Sequence, residues 1–197
     1  MTEFLFDGPL DAAHTLVLAH GAGGGMRTPF MATVAREVSA AGIRVVRFEF
    51  DYMAARKRRP DPTAALLDKW RSVANELGGG EGLAIGGKSL GGRMASMVAD
   101  ELSVRALVCL GYPFHPPGKP EKLRTAHLAS LRTRTLIVQG TRDAFGTRSE
   151  VESYALSQAI HVEWIEGGDH AFRNREHIAK TVATVVRFIT SSWAVGA

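Results

Sequence analysis

Short apolar runs alternate with stretches of helical period from one end of this chain to the other. Thr15–Ala19, Ile43–Phe48, Leu83–Ile85, Arg105–Leu110, Thr135–Val138 and His161–Ile165 read as strands. Met31–Ala41, Thr63–Leu77, Leu90–Glu101, Thr147–Gln158 and Arg175–Ile189 read as helices, with apolar residues returning every three or four positions. The strand runs are continuously apolar, the pattern of strands buried on both faces. Such an order predicts an α/β protein with a mostly parallel sheet and helices on both faces. No repeat or low-complexity linker interrupts the 197 residues, and Pro113–Pro120 reads as a loop, so residues 1–197 are expected to form one domain.

Composition narrows the partners. Apolar residues make up 45% of the chain and charged residues 22%, with a net charge of +4. No apolar run reaches the roughly 18 residues of a membrane span, and Met1-Thr2-Glu3-Phe4 lacks the basic start and apolar core of a secretory leader. Cys109 is the single cysteine and sits within an apolar run, so it reads as a buried thiol in a reducing, cytoplasmic setting. Arg56-Lys57-Arg58-Arg59 abuts Pro60-Asp61-Pro62 and reads as a solvated loop, without the motif or aromatic platform of nucleic-acid recognition. No nucleic-acid or membrane partner is expected. No histidine pair has metal-ligand spacing, so neither a metal nor a cofactor is expected.

Chemistry concentrates after three strands. Gly87-Lys88-Ser89-Leu90-Gly91 lies between the strand Leu83–Ile85 and a helical run, the setting in which G-x-S-x-G forms a nucleophile elbow. The turn is tight enough that the residues two before and two after the serine must lack a β-carbon. Ser89 is therefore the candidate nucleophile, and a serine hydroxyl needs a positioned base. His170, past His161–Ile165, is the candidate base, and Asp143, past Thr135–Val138, the acid that orients it. Asp169 competes for that role, but its adjacency to His170 makes an approach to the ring awkward. Oxyanion donors are expected from the backbone N–H of Leu90, after the nucleophile, and of Ala22, in the turn His20–Gly25, with Gly23 next.

Rival patterns fit less well. Gly82 to Ser89 satisfies G-x-x-x-x-G-K-S, but a phosphate loop needs a strand before its first glycine, and here a helix end precedes it. Gly21-Ala22-Gly23 hints at a dinucleotide turn, with Glu49 or Asp51 as the ribose acid, yet the third glycine position falls on Met26. Neither pattern accounts for Asp143 and His170. His20 reads as a turn-stabilising residue, His14, His127, His161 and His177 as ordinary surface or core residues, and Trp70 and Trp164 as core. Gly23, Tyr112 and Phe145 are candidates to line a substrate pocket, with packing an equal alternative for the two aromatics. Lys88, Arg93 and Arg142 offer cations to an anionic group or to solvent.

Four ordered segments carry a resemblance: His20–Gly24, Gly87–Arg93, Gly140–Gly146 and Gly168–Phe172. Together they resemble a small, lidless α/β-hydrolase of a predicted bacterial branch related to dienelactone-hydrolase-like proteins and to a subunit of the animal NSL chromatin complex. The resemblance implies the α/β-hydrolase fold and a serine hydrolase acting on a small-molecule ester, thioester or similar acyl bond. The nucleophile is serine, not the cysteine of dienelactone hydrolases, so that substrate does not carry over. With only Phe4-Leu5-Phe6 before the first core strand, the sheet is expected to be trimmed at its N-terminal side. Caps of this fold insert between the strands ending near Gly111 and beginning near Thr135. The interval here is short and stiffened by Pro113, Pro116, Pro117 and Pro120, so no cap domain is expected. A non-catalytic protein-interaction module on the same fold is the alternative.

Overall fold

The computed structural model describes residues 2–194, and its centre is one seven-stranded sheet. Its strands are β1 (Phe4–Asp7), β2 (Thr15–Ala19), β3 (Arg44–Phe48), β4 (Leu83–Lys88), β5 (Ala106–Leu110), β6 (Thr135–Gly140) and β7 (Ile160–Ile165). They lie in the order β1-β3-β2-β4-β5-β6-β7. All neighbours are parallel except the edge strand β1, which runs antiparallel to β3.

Alternation along each strand divides the core in two. Leu16 and Leu18 of β2 join the layer beneath α1 (Pro29–Ser39) and α6 (Arg175–Ala194), while Val17 and Ala19 join the layer beneath α3 (Thr63–Glu76) and α4 (Leu90–Ser96). Pro29, whose fixed φ suits a first turn, opens α1, and Met31, Val34, Ala35 and Val38 form its buried stripe. On the other face Trp70 of α3 meets Phe48 of β3 edge-on at 4.8 Å. Cys109 is buried as expected, and burial pushes its thiol well above the ordinary range.

Two helices are shorter than their apolar period predicts. The run from Leu90 leaves α-geometry after Ser96, where Met97 and Val98 donate to carbonyls three residues back. Asp100, instead of extending the helix, accepts the backbone N–H groups of Arg132 and Thr133. The predicted helix 147–158 is a single turn, α5 (Arg148–Val151), opened by a capping box between Thr147 and Glu150. Ser153 then bonds back to the Glu150 carbonyl through both N–H and hydroxyl and ends it. A short helix at Asp51–Ala54, α2, went unread in the sequence.

The segment between β5 and β6 forms no cap. It folds down against the sheet, burying Tyr112, Phe114, Leu128 and Leu131, with one 3-10 turn at Ala126–Ser130. The carboxyl ends of the strands are left open.

Candidate active site

From β2 the chain passes to β3 on one side of the sheet and then to β4 on the other, so the turns after β2 and β4 stand side by side. Open α/β sheets bind their ligands at such a switch point. Ala19 and Gly87, the last register partners of β2 and β4, set the spacing.

The turn after β4 demands small residues. A β-carbon on Gly87 or Gly91 would run into the Ala19 carbonyl oxygen, one on Gly86 into the Val108 carbonyl, and one on Gly92 would lie 2.6 Å from the Gly87 oxygen. The sequence pointed to two of these four glycines; the other two are required by the Val108 carbonyl of β5 and by the Gly87 carbonyl near the end of β4. Ser89 adopts φ 50°, ψ −111°, a backbone conformation costly for a residue with a β-carbon. Its N–H is held by the Leu110 carbonyl at 3.1 Å.

Three side chains distant in sequence meet there. His170 Nε2 lies 2.9 Å from Ser89 Oγ, and His170 Nδ1 lies 2.7 Å from Asp143 Oδ2. An ionised carboxylate only accepts, so Nδ1 carries the proton and Nε2 turns its lone pair to the serine hydroxyl. Asp143 is fully buried, and its other oxygen accepts the Phe145 N–H at 2.8 Å. The Phe145 ring stacks on the imidazole with centroids 4.1 Å apart. Asp169 is occupied otherwise: it accepts the Ala171 N–H and closes the turn that carries the histidine.

Among the described residues, the backbone N–H groups of Ala22, Gly23 and Leu90 donate to no other backbone group. Leu90 is the first residue of α4, where N–H groups have no intrahelical partner. The Ala22 carbonyl is turned away and accepts the Tyr52 hydroxyl at 3.2 Å. Burial, then Asp61 and Glu49, push the Tyr52 phenol up to about 12, which keeps it a donor. His20 is the turn-stabilising residue the sequence suggested. Its Nε2 accepts the Phe50 N–H, its Nδ1 donates to the Gly21 carbonyl, and burial lowers its pKa.

Ser89 and His170 open into a cavity of about 540 Å³ whose walls include Gly21, Gly23, Phe30, Lys88 and Arg173. Gly23 is among those walls, and Phe145 reaches the site through the histidine it stacks on. Tyr112 does not. It is completely buried, stacked against Phe114, with its hydroxyl donating to the Arg124 carbonyl, because the loop after β5 folds inward. Another hollow of about 600 Å³ lies at the amino ends of β6 and β7 against α6, lined by Arg132, Arg134 and His161, with no nucleophile beside a base.

Gln139 escaped sequence reasoning, and Lys88 was read only as a cation offered to an anionic group or to solvent. Gln139, fully buried in β6, accepts the Tyr112 N–H and donates to the Tyr112 and Gly146 carbonyls, joining the end of β5 to the Asp143 loop. Lys88 sends its ammonium behind the histidine loop to the His170 carbonyl at 2.5 Å. Burial brings its pKa down to about 8 against the opposing pull of Asp143 and Asp169. The available signal was a lone polar residue closing each otherwise apolar strand. Among the described residues, no cluster of His, Cys, Asp or Glu is arranged to hold a metal ion.

Residues 12–194 match the family model described as an alpha/beta hydrolase domain. The chain belongs to the alpha/beta hydrolase family. Several solved structures share its fold. An alpha-beta serine hydrolase homologue from Coxiella burnetii is 20% identical with a TM-score of 0.76, the match covering 94% of this chain and 90% of that one. A serine hydrolase without lid from Xanthomonas campestris is 18% identical at 0.71, covering 97% and 87%. Dienelactone hydrolase from Anabaena variabilis is 19% identical at 0.74, covering 93% and 88%. At these identities the likeness is one of fold, and within it this alpha/beta hydrolase has a mostly parallel sheet, helices on both faces and no lid.

Proposed function

We propose that this alpha/beta hydrolase is a serine hydrolase that cleaves a small-molecule ester, thioester or similar acyl bond through an acyl-enzyme. The observation that carries this reading is the continuous chain from Ser89 Oγ through the imidazole to Asp143, at 2.9 and 2.7 Å, at the wall of an open cavity. Ser89 Oγ attacks the acyl carbon while His170 Nε2 takes its proton. The same proton then passes to the leaving alcohol or thiol as the bond to it breaks. Water enters and gives a proton to Nε2, its oxygen displaces Oγ from the acyl group, and Nε2 returns that proton to Oγ as the acid is released. Asp143 holds the tautomer and balances the imidazolium. Ala22 and Leu90 are assigned as oxyanion donors; one such donor is worth about 2.7–4 kcal/mol of transition-state stabilisation.

The test is labelling by a fluorophosphonate probe together with turnover of short p-nitrophenyl esters. Wild type is expected to react in both assays, and Ser89→Ala to lose labelling and at least about 10³-fold in kcat. A folded wild type inert in both assays, or a Ser89→Ala enzyme of full activity, overturns the reading. Against a non-catalytic interaction module stands the histidine's arrangement, with both ring nitrogens engaged by the two groups a proton relay needs; binding alone has no use for that.

A further inference from the structure

Lys88 is a half-buried cation that pairs with no carboxylate among the described residues. Its ammonium has three donors and spends one, on the His170 carbonyl. Among the described residues it forms no ion pair: Asp143 is engaged by His170 and the Phe145 N–H, and Asp169 Oδ1 by the Ala171 N–H. Its remaining surroundings are aromatic, with the Phe172 centroid at 5.2 Å and that of Phe30 at 5.9 Å. Burying a charge without a counter-charge is unfavourable, and such cations are normally paired. Lys88 lines the cavity that holds Ser89, Arg173 stands exposed on the same cavity without an ion pair among the described residues, and no acidic side chain lines it.

Resting on the serine-hydrolase reading, we propose that the substrate is an ester bearing a carboxylate, which enters the cavity as the counter-ion of Lys88 and Arg173. The carboxylate takes no part in bond making. It orients the ester so that the acyl carbon meets Ser89, while the hydrolysis converts ester and water to acid and alcohol as above. A neutral ester of the same length leaves both cations unsatisfied, and charged hydrogen bonds of this kind are each worth roughly ten- to a hundredfold in binding.

The experiment compares kcat/KM for two matched pairs. Mono-p-nitrophenyl adipate against p-nitrophenyl hexanoate puts the carboxylate on the acyl side; 4-acetoxybutanoate against butyl acetate puts it on the alcohol side. In wild type at low ionic strength, at least one anionic member is expected to be favoured roughly ten- to a hundredfold, with the preference shrinking as salt is added. Lys88→Met should bring that ratio close to one, and Arg173→Gln should lower it severalfold. If Lys88 only positions the histidine loop, Lys88→Met slows both members of a pair equally and the ratio stands, which overturns the proposal. Should Lys88→Met fail to fold, Arg173→Glu at its exposed site serves: an unchanged ratio counts against the proposal, an inverted one for it. Wild-type enzyme that is labelled by fluorophosphonate and turns over the neutral esters, yet prefers neither anion, overturns this inference alone. Enzyme inert to the probe and to all four esters overturns it together with the hydrolase reading.

Discussion

Lys88 shows how one residue can weigh on stability and selectivity in opposite directions. Its folded-state pKa of about 8 lies below the ordinary 10.5, so the unfolded chain binds its proton more tightly. Stability tied to this group is therefore fully present above pH 10.5 and is lost as the pH falls through about 8. The groups facing it are Asp143 after β6 and Asp169 and His170 after β7. At pH 7 the cost is about 3 kcal/mol. Lys88→Met, of similar length and apolar, is expected to raise the unfolding free energy at pH 7 by about 1–3 kcal/mol in urea titrations, with a smaller gain at pH 10. Equal gains at both pH values would remove the electrostatic explanation. Asp143 makes the complementary case. Asp143→Asn keeps the shape but offers the ring the wrong tautomer, and kcat for a p-nitrophenyl ester is expected to fall about 10⁴-fold with the fold intact by circular dichroism.

At the scale of elements, the elbow is defined by what cannot be there. Gly91→Ala drives a β-carbon into the Ala19 carbonyl and to 2.7 Å from that of His20, both fixed backbone, and is expected to cost about 3 kcal/mol or more of stability. Gly23→Ala meets nothing within 4 Å and is expected to stay within about 0.5 kcal/mol of wild type. Unfolding midpoints of the two variants measure that contrast. The strands were legible because continuous apolar runs have few other uses, and the elbow because the spacing of its glycines follows from sterics. The ends of α4 and α5 were not, since Asp100 and Ser153 divert the chain through side-chain bonds whose partners lie outside any apolar period. Phe4–Asp7 became a strand because β3 offered it an edge to pair with, a fact held by β3 and not by those residues alone.

For the whole molecule, the inward fold of the segment between β5 and β6 leaves the site uncovered. Ser89 is partly exposed and the His170 side chain is 23% exposed. An enzyme with no lid to displace gains nothing from an oil–water interface. Rates on a short triglyceride are expected to rise hyperbolically through its solubility limit, and an abrupt increase on emulsification would contradict an open site. The exposed cluster Arg56–Arg59, where Lys57 lies 3.7 Å from Asp61, makes a solvated loop as its prolines suggested. No helix among the described residues is long and apolar enough to cross a membrane.

The sequence by itself determined the alternation of strands and helices, the tight turn around Ser89, and which residue types follow each strand, because these rest on local sterics and on hydrophobic period. The sequence favoured Asp143 over Asp169 at the histidine, but tertiary structure alone decided that Tyr112 is buried while Phe145 stacks on the ring, and that Lys88 ends without an ion pair among the described residues. Each of these depends on distances across strands far apart in the chain, and no local pattern encodes a distance of that kind.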